Sequence, residues 1–185
     1  MFDASREFDV SQPFGISAGG RTAEKLYRQI TGARAAPRAS DGDAEFDGHL
    51  VEVKKASKVT INQVRAVKYI PLVVYFEPED QPGSAEWYVV PAHVVVAGVS
   101  QKSRGQHTEN PFESATLNVR NLHAYRVEEA NLRRATLAAI EQSERFPQLK
   151  EAMAGVLHES REVVLKSLER VRQVLHEIGL EASSL

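Results

Sequence analysis

Asp43-Ala44-Glu45-Phe46-Asp47-Gly48-His49-Leu50-Val51-Glu52-Val53-Lys54 is the stretch whose folding decides the rest. Asp47-Gly48 is the strongest short hairpin signal in the chain, because a two-residue type I′ turn needs positive φ at both central positions. Folding the flanks about that turn sets a register: Phe46 opposite His49, Glu45 opposite Leu50, Ala44 opposite Val51 and Asp43 opposite Glu52. Strand side chains alternate with period two, so Glu52 and Lys54 share one face and Val51 and Val53 the other. Directly opposed residues have Cβ atoms about 4.5–5.5 Å apart. The hairpin is therefore expected to set two carboxylates side by side with an amine next to them. Adjacent carboxylates repel, and a site that keeps such a pair commonly binds a hard divalent cation such as Mg²⁺.

The chain around this hairpin has 185 residues, enough for one domain with a real core plus an appendage. Charged residues make up 26% and hydrophobic residues 42%, ordinary for a globular protein. The formal net charge is −2, so a nucleic-acid partner requires locally concentrated basic residues. The absence of cysteine removes disulfides, thiolate metal sites and thiol nucleophiles, and makes a reducing cytoplasm the simpler compartment. Residues 1–7 show neither a basic start nor an apolar run, and no apolar stretch approaches ~18 residues. The expectation is a soluble cytoplasmic protein with no signal peptide and no membrane partner.

Residues 1–18 suggest an irregular lead-in. Over 19–31, Ala23, Leu26, Tyr27 and Ile30 form one helical stripe, with Gly32 as the left-handed stop. Glu24 lies beside that stripe, placed to tuck its carboxylate over a sheet edge. Residues 33–42 suggest a loop with Arg34 and Arg38. Lys55 and Lys58 extend the positive charge after Lys54. Residues 60–69 suggest a short helix capped by Thr60, its polar side carrying Gln63, Arg65 and Lys68. Leu-Val-Val-Tyr-Phe at 72–76 is continuously apolar, as in a strand buried on both faces. Residues 87–90 suggest its antiparallel neighbour, and Pro91 the first residue of a helix running to about Ser100. Residues 101–116 suggest a polar loop, followed by a short strand near 115–119.

Composition shifts near Arg126 towards Ala, Leu, Glu and Arg. This suggests a core over 1–126 and a helical segment over 127–185. The first helix would run from Val127 to about Ser143, with a break at Phe146-Pro147 and one or two more helices to Ile178. The last five residues are expected to fray. Val164, Leu168, Val171, Leu175 and Ile178 step by heptad spacing for little more than two heptads. That seam either packs on its own domain or joins two copies.

Asp43 followed by Glu52-x-Lys54 on a hairpin resembles the PD-(D/E)XK nuclease superfamily, which includes restriction endonucleases and Holliday-junction resolvases. The preceding helix with Glu24, Gln63 after Lys54, and the following apolar strand add to the resemblance, which covers roughly the first half to two thirds of the chain. The chain departs from the pattern in having Gly42 where the motif's proline stands. The resemblance implies an α/β fold: a central mixed sheet flanked by helices, with the C-terminal helices appended. It implies that the backbone carbonyl of Val53 joins the metal ligands. It further implies that Glu24 holds a water of the ion's shell or a second ion, and that Gln63 assists in positioning.

Phosphodiester hydrolysis needs an in-line water, its partial deprotonation and neutralisation of charge building on phosphate. A divalent cation, Mg²⁺ or Mn²⁺, supplies the Lewis acid. Asp43 and Glu52 are the candidate ligands, and Lys54 is placed to orient the water or stabilise the phosphate. Asp41, in register with Lys54, competes with Asp43 for the ligand role; Asp47 is used by the turn. Lys55, Lys58, Arg65, Lys102 and Arg104 are the candidate phosphate-gripping residues. Each residue has a plainer reading. Asp43–Lys54 or Glu52–Lys54 is then a solvated ion pair worth little, Glu24 a helix-dipole partner, and Gln63 and the 102–107 loop ordinary surface. The histidines show no metal-ligand spacing, and no P-loop, nucleophile elbow or dinucleotide fingerprint is present.

The expectation is a metal-dependent DNA endonuclease acting on duplex or branched DNA, alone, as a homodimer or with partner subunits. The alternative is a non-cleaving DNA-binding or protein-interaction module on the same fold within a defence or repair assembly. A third reading makes 127–180 a helix-driven scaffold.

Overall fold

The computed structural model describes residues 20–38, 40–154, 156 and 161–180. The lead-in at 1–18, the tail at 181–185 and the side chain of Val164 lie outside the described residues. The hairpin forms in the expected register from Ala44 to Val51, but the expected Asp43–Glu52 pair is not part of the ladder: Asp43 donates its N–H to the Val51 carbonyl instead. β2 (Ala44–Phe46) pairs with β3 (His49–Ala56) as Phe46↔His49, Glu45↔Leu50 and Ala44↔Val51. Asp47 and Gly48 both take positive φ, 48° and 84°, as a type I′ turn demands. On its other edge β3 runs parallel to β5 (Leu72–Phe76), with Glu52 level with Leu72 and Lys54 with Val74. β5 then pairs antiparallel with β6 (Glu86–Val90).

The mixed sheet has six strands in the order β1-β2-β3-β5-β6-β8, where β1 is Arg34–Ala35 and β8 is Arg126–Val127. One face carries Val51, Val53, Val73, Trp87 and Val89. It is covered by Ala23 and Tyr27 of α1 (Gly20–Thr31) and by Leu132, Ala139 and Ile140 of α3 (Leu132–Glu144). Tyr27 Oη donates to Thr136 Oγ1 across these two helices at 3.3 Å. The opposite face carries Leu72, Val74, Tyr88 and Val90 and is covered by α2 (Ala92–Ser100), α4 (Pro147–Ala154) and α5 (Arg161–Glu177). Among the described residues, no helix is long and apolar enough to cross a membrane.

Four further expectations need correction. Residues 33–42 are not all loop, since Arg34–Ala35 pairs with β2 as the edge strand β1. Residues 60–69 are not a helix: Thr60–Val64 is strand β4, and only Ala66–Lys68 coils, as one 3₁₀ turn. β4 pairs antiparallel with β7 (Ala115–Asn118) in a separate two-stranded ribbon, which buries Ile61 and Val64. Ladder bonds to a segment some fifty residues away decide this, and local spacing does not record them. Val127 does not begin a helix but closes the sheet in β8, and α3 starts at Leu132. Pro91 is the extended residue before α2, which begins at Ala92. The heptad seam of α5 is used within the chain, since Leu168, Val171 and Leu175 are buried against the α2/α4 side.

Candidate active site

β2 stops pairing at Ala44, just where the acids begin. Asp43 keeps one ladder bond, its N–H donating to the Val51 carbonyl at 2.9 Å. Its side chain then replaces the next rung: Oδ2 accepts the Val53 N–H at 2.8 Å. In a strand the N–H and C=O of one residue point to the same side, so the Val53 carbonyl faces this edge too. Asp43 is thus tied to β3 by main chain and side chain together.

Glu52, the residue between Val51 and Val53, is 5% exposed. Its Oε1 lies 2.7 Å from Lys54 Nζ, and its Oε2 lies 2.6 Å from Lys68 Nζ. Lys54 comes from the same strand face two residues on. Lys68 comes from the 3₁₀ turn that leads into β5, and its side chain is nearly buried. This is not the solvated pair of the plainer reading. A carboxylate buried among two ammonium groups is costly to desolvate, and apolar replacements commonly give equal or greater stability.

The two acids are pushed in opposite directions. Burial raises the Asp43 carboxyl above its usual range and the Glu52 charge adds to this, while the Val53 N–H, Lys54 and Lys68 only partly offset them. For Glu52, burial also pushes upward, but Lys54 and Lys68 outweigh it and hold the carboxyl below the usual value.

A cleft of ≈ 380 Å³ opens at this edge. It is lined by Glu24, Asp43, Val53, Lys54, Lys55, Lys58, Thr60, Asn62 and Gln63, among others. Seven residues singled out from sequence therefore meet in one place: Glu24 from α1; Asp43, Val53 and Lys54 from the hairpin; and Lys55, Lys58 and Gln63 after it. Lys55 also lies 3.4 Å from Glu77 and 5.8 Å from the Tyr75 ring centroid. Gln63 sits at a bulge in β4 with φ 55°, and its N–H donates to Gln106 Oε1 at 3.1 Å. That bond ties the loop carrying Lys102 and Arg104 to the β4 side of the cleft, although neither cation lines it. Arg65 is exposed and also stands outside the lining. Asp41 accepts a hydrogen bond from Ser40 at 2.9 Å and does not line the cleft, which leaves Asp43 as the acid there. His49 is exposed beside Glu144, and His93 is buried against Phe146.

Lys68 is the site residue that sequence reasoning missed. Among the described residues, no group of three or more acidic or histidine side chains gathers as a metal nest. Mg²⁺ does not require one, since it usually keeps several waters and takes only one or two carboxylates. Of the expected ligands, Asp43 and Val53 line the cleft, whereas Glu52 does not and has an ammonium on each of its oxygens. No protein-family model matches the chain, and no curated protein matches it in sequence.

Proposed function

We propose that this chain is a Mg²⁺- or Mn²⁺-dependent deoxyribonuclease of the PD-(D/E)XK kind, cutting phosphodiester bonds at the β3 edge. The observation that carries the reading is the convergence of Asp43, Val53 and Lys54 on one cleft, with Glu52 clamped behind them by two lysines. Asp43, Glu52 and the Val53 carbonyl would hold the ion, which supplies a Lewis acid for the phosphate and the attacking water. Lys54 Nζ gives one N–H to Glu52 and has two further donors for the phosphate oxygens on which charge builds. Glu52 and Lys68 keep that ammonium in place, so little reorganisation is needed as charge develops. Glu24 and Gln63 face the same space and orient water or substrate. Lys55 and Lys58 grip flanking phosphates, with Arg65, Lys102 and Arg104 as outer contacts on longer DNA.

One observation favours a different outcome: both Glu52 oxygens already have cationic partners, as in a binding module that never recruits an ion. A plasmid-nicking assay with and without Mn²⁺ separates the two. The nuclease reading expects metal-dependent nicking, lost by about 10²-fold or more in Lys54→Ala and Glu52→Ala, with metal-free DNA binding kept in Glu52→Ala and weakened in Lys54→Ala by no more than one phosphate contact, a salt slope of about 0.9. Wild-type cutting by both variants, or no cutting by the native chain, refutes it.

A further inference from the structure

The cleft has two chemically different walls. One carries the charged groups, Lys54, Lys55 and Lys58 with Glu24 and Asp43, whereas β4 contributes Thr60, Asn62 and Gln63, all uncharged. The β4–β7 register, Thr60↔Asn118 and Ile61↔Leu117, sets Asn62 opposite Thr116. Thr116 Oγ1 donates to Asn62 Oδ1 at 3.3 Å, which fixes the plane of that amide at the surface. Ile61, Val64, Ala115 and Leu117 turn inward and are buried. Alternation therefore leaves Thr60, Asn62, Thr116 and Asn118 on the outer face, continuous with the cleft. Asn118 is used locally, since its Oδ1 accepts the Arg120 N–H at 3.0 Å. The ribbon is held at its base by Val119 N–H to the Val59 carbonyl at 2.8 Å and at its bulge by Gln106.

That division matches the two jobs of a DNA-binding surface. Cations hold phosphates without regard to sequence, while neutral amides and hydroxyls distinguish base edges. The major groove, about 12 Å wide, admits a two-stranded ribbon, and an Asn amide matches the N6/N7 edge of adenine. We infer that the outer face of the β4–β7 ribbon, through Thr60, Asn62 and Thr116, reads bases of duplex DNA whose backbone lies on the lysine wall. This rests on the reading of the cleft as a phosphate site.

The test uses the full chain in chelator with short DNA duplexes of randomised centre: bound molecules are sequenced, and binding is titrated with salt. The native chain should enrich a subset of sequences. Asn62→Ala combined with Thr116→Val should flatten that enrichment, roughly tenfold or more at a base pair, and leave the salt slope unchanged. Lys58→Ala should do the reverse, reducing the slope of log K against log salt by about 0.9 and keeping the preference. Melting curves establish that the variants fold. Absence of preference in the native chain, or a preference that survives the double substitution, overturns the inference. Nicking with Mn²⁺, run alongside, separates the two readings: selective binding without nicking removes the nuclease and keeps the ribbon, and nicking without preference removes the ribbon alone.

Discussion

Replacing Lys68 with methionine keeps most of the stem and deletes the ammonium that meets Glu52 Oε2 at 2.6 Å. Glu52 then keeps only Lys54, at 2.7 Å. Stripping a buried charge of its sole partner costs about 3–5 kcal/mol. Because Lys54 remains, the expected loss is nearer that of one charged hydrogen bond, about 2–3 kcal/mol. For a chain of this length each kcal/mol moves the melting temperature by about 2–4 °C, so Lys68→Met should melt about 4–12 °C below the native protein in chelator. A second effect has the opposite sign. Asp43, Glu52, Lys54 and Lys68 carry two negative and two positive charges. Deleting one ammonium leaves a net −1, and a dication about 5 Å away gains roughly 1.7 kcal/mol from this even at the dielectric of water. That exceeds tenfold in affinity.

Melting curves across a Mn²⁺ titration read both effects in one series. The variant should start lower, respond at lower Mn²⁺ and recover a larger share of its stability than the native chain gains. An unchanged melting temperature in chelator would mean that the Lys68–Glu52 pair is not formed in solution. An unchanged or weaker Mn²⁺ response would refute the account of Lys68 as a resident cation at an ion site.

The remaining expectations concern the other half of the site and its turn. Asp43→Asn keeps an oxygen for the Val53 N–H and removes a charge the fold holds poorly, so it should melt higher than native at neutral pH yet lose its response to Mn²⁺. The pH sign follows from the raised Asp43 carboxyl: its favourable contribution is full below the unfolded value and is lost as pH rises through the folded one. The stability gap between Asp43→Asn and native should therefore widen from acid to neutral pH in melts without metal. Gly48→Ala forces a Cβ into φ 84° with no neighbour within 4 Å to resist it, so the cost is purely backbone, about 1–2 kcal/mol, measurable by urea unfolding.

The hairpin was legible because everything that sets it is local. Asp47-Gly48 fixes the turn, the turn fixes the register, and period two sorts Val51 and Val53 from Glu52 and Lys54. The buried strand at Leu72–Phe76 and its antiparallel neighbour were legible for the same reason, since their apolar runs have few alternatives. The bond from Val53 N–H to Asp43 Oδ2 was not, because pairing rules place side chains by face, and this carboxylate bends into the plane of the ladder. β4 was misread because Ile61 and Val64, three apart, suit a helical face as well as they suit a strand carrying a bulge. That error hid Lys68, whose place follows only from the parallel pairing that sets Glu52 level with Leu72, four residues beyond it. Thr60-Ile61, with a β-branched residue at each position, was the available hint.

The asymmetry between the two acids shows how the site handles charge. Glu52 is the fixed anion: its two lysine partners hold it ionised, and that stabilisation is lost only as pH falls through its depressed folded value. Asp43 is the poorly tolerated one, lying on the cleft side of the same strand with burial and Glu52 against it. Under the proposed function, proton and cation would compete for Asp43, since either offsets the cost of its burial and the Glu52 charge beside it. The apparent affinity for Mn²⁺ should fall as pH drops into the raised Asp43 range, while the Glu52 cluster behind it stays ionised. An arrangement selected for stability alone gains little from such a pair, because apolar side chains in their place would spare the desolvation of two carboxylates. Keeping one acid clamped and its neighbour under strain makes sense where the strain is released by what binds.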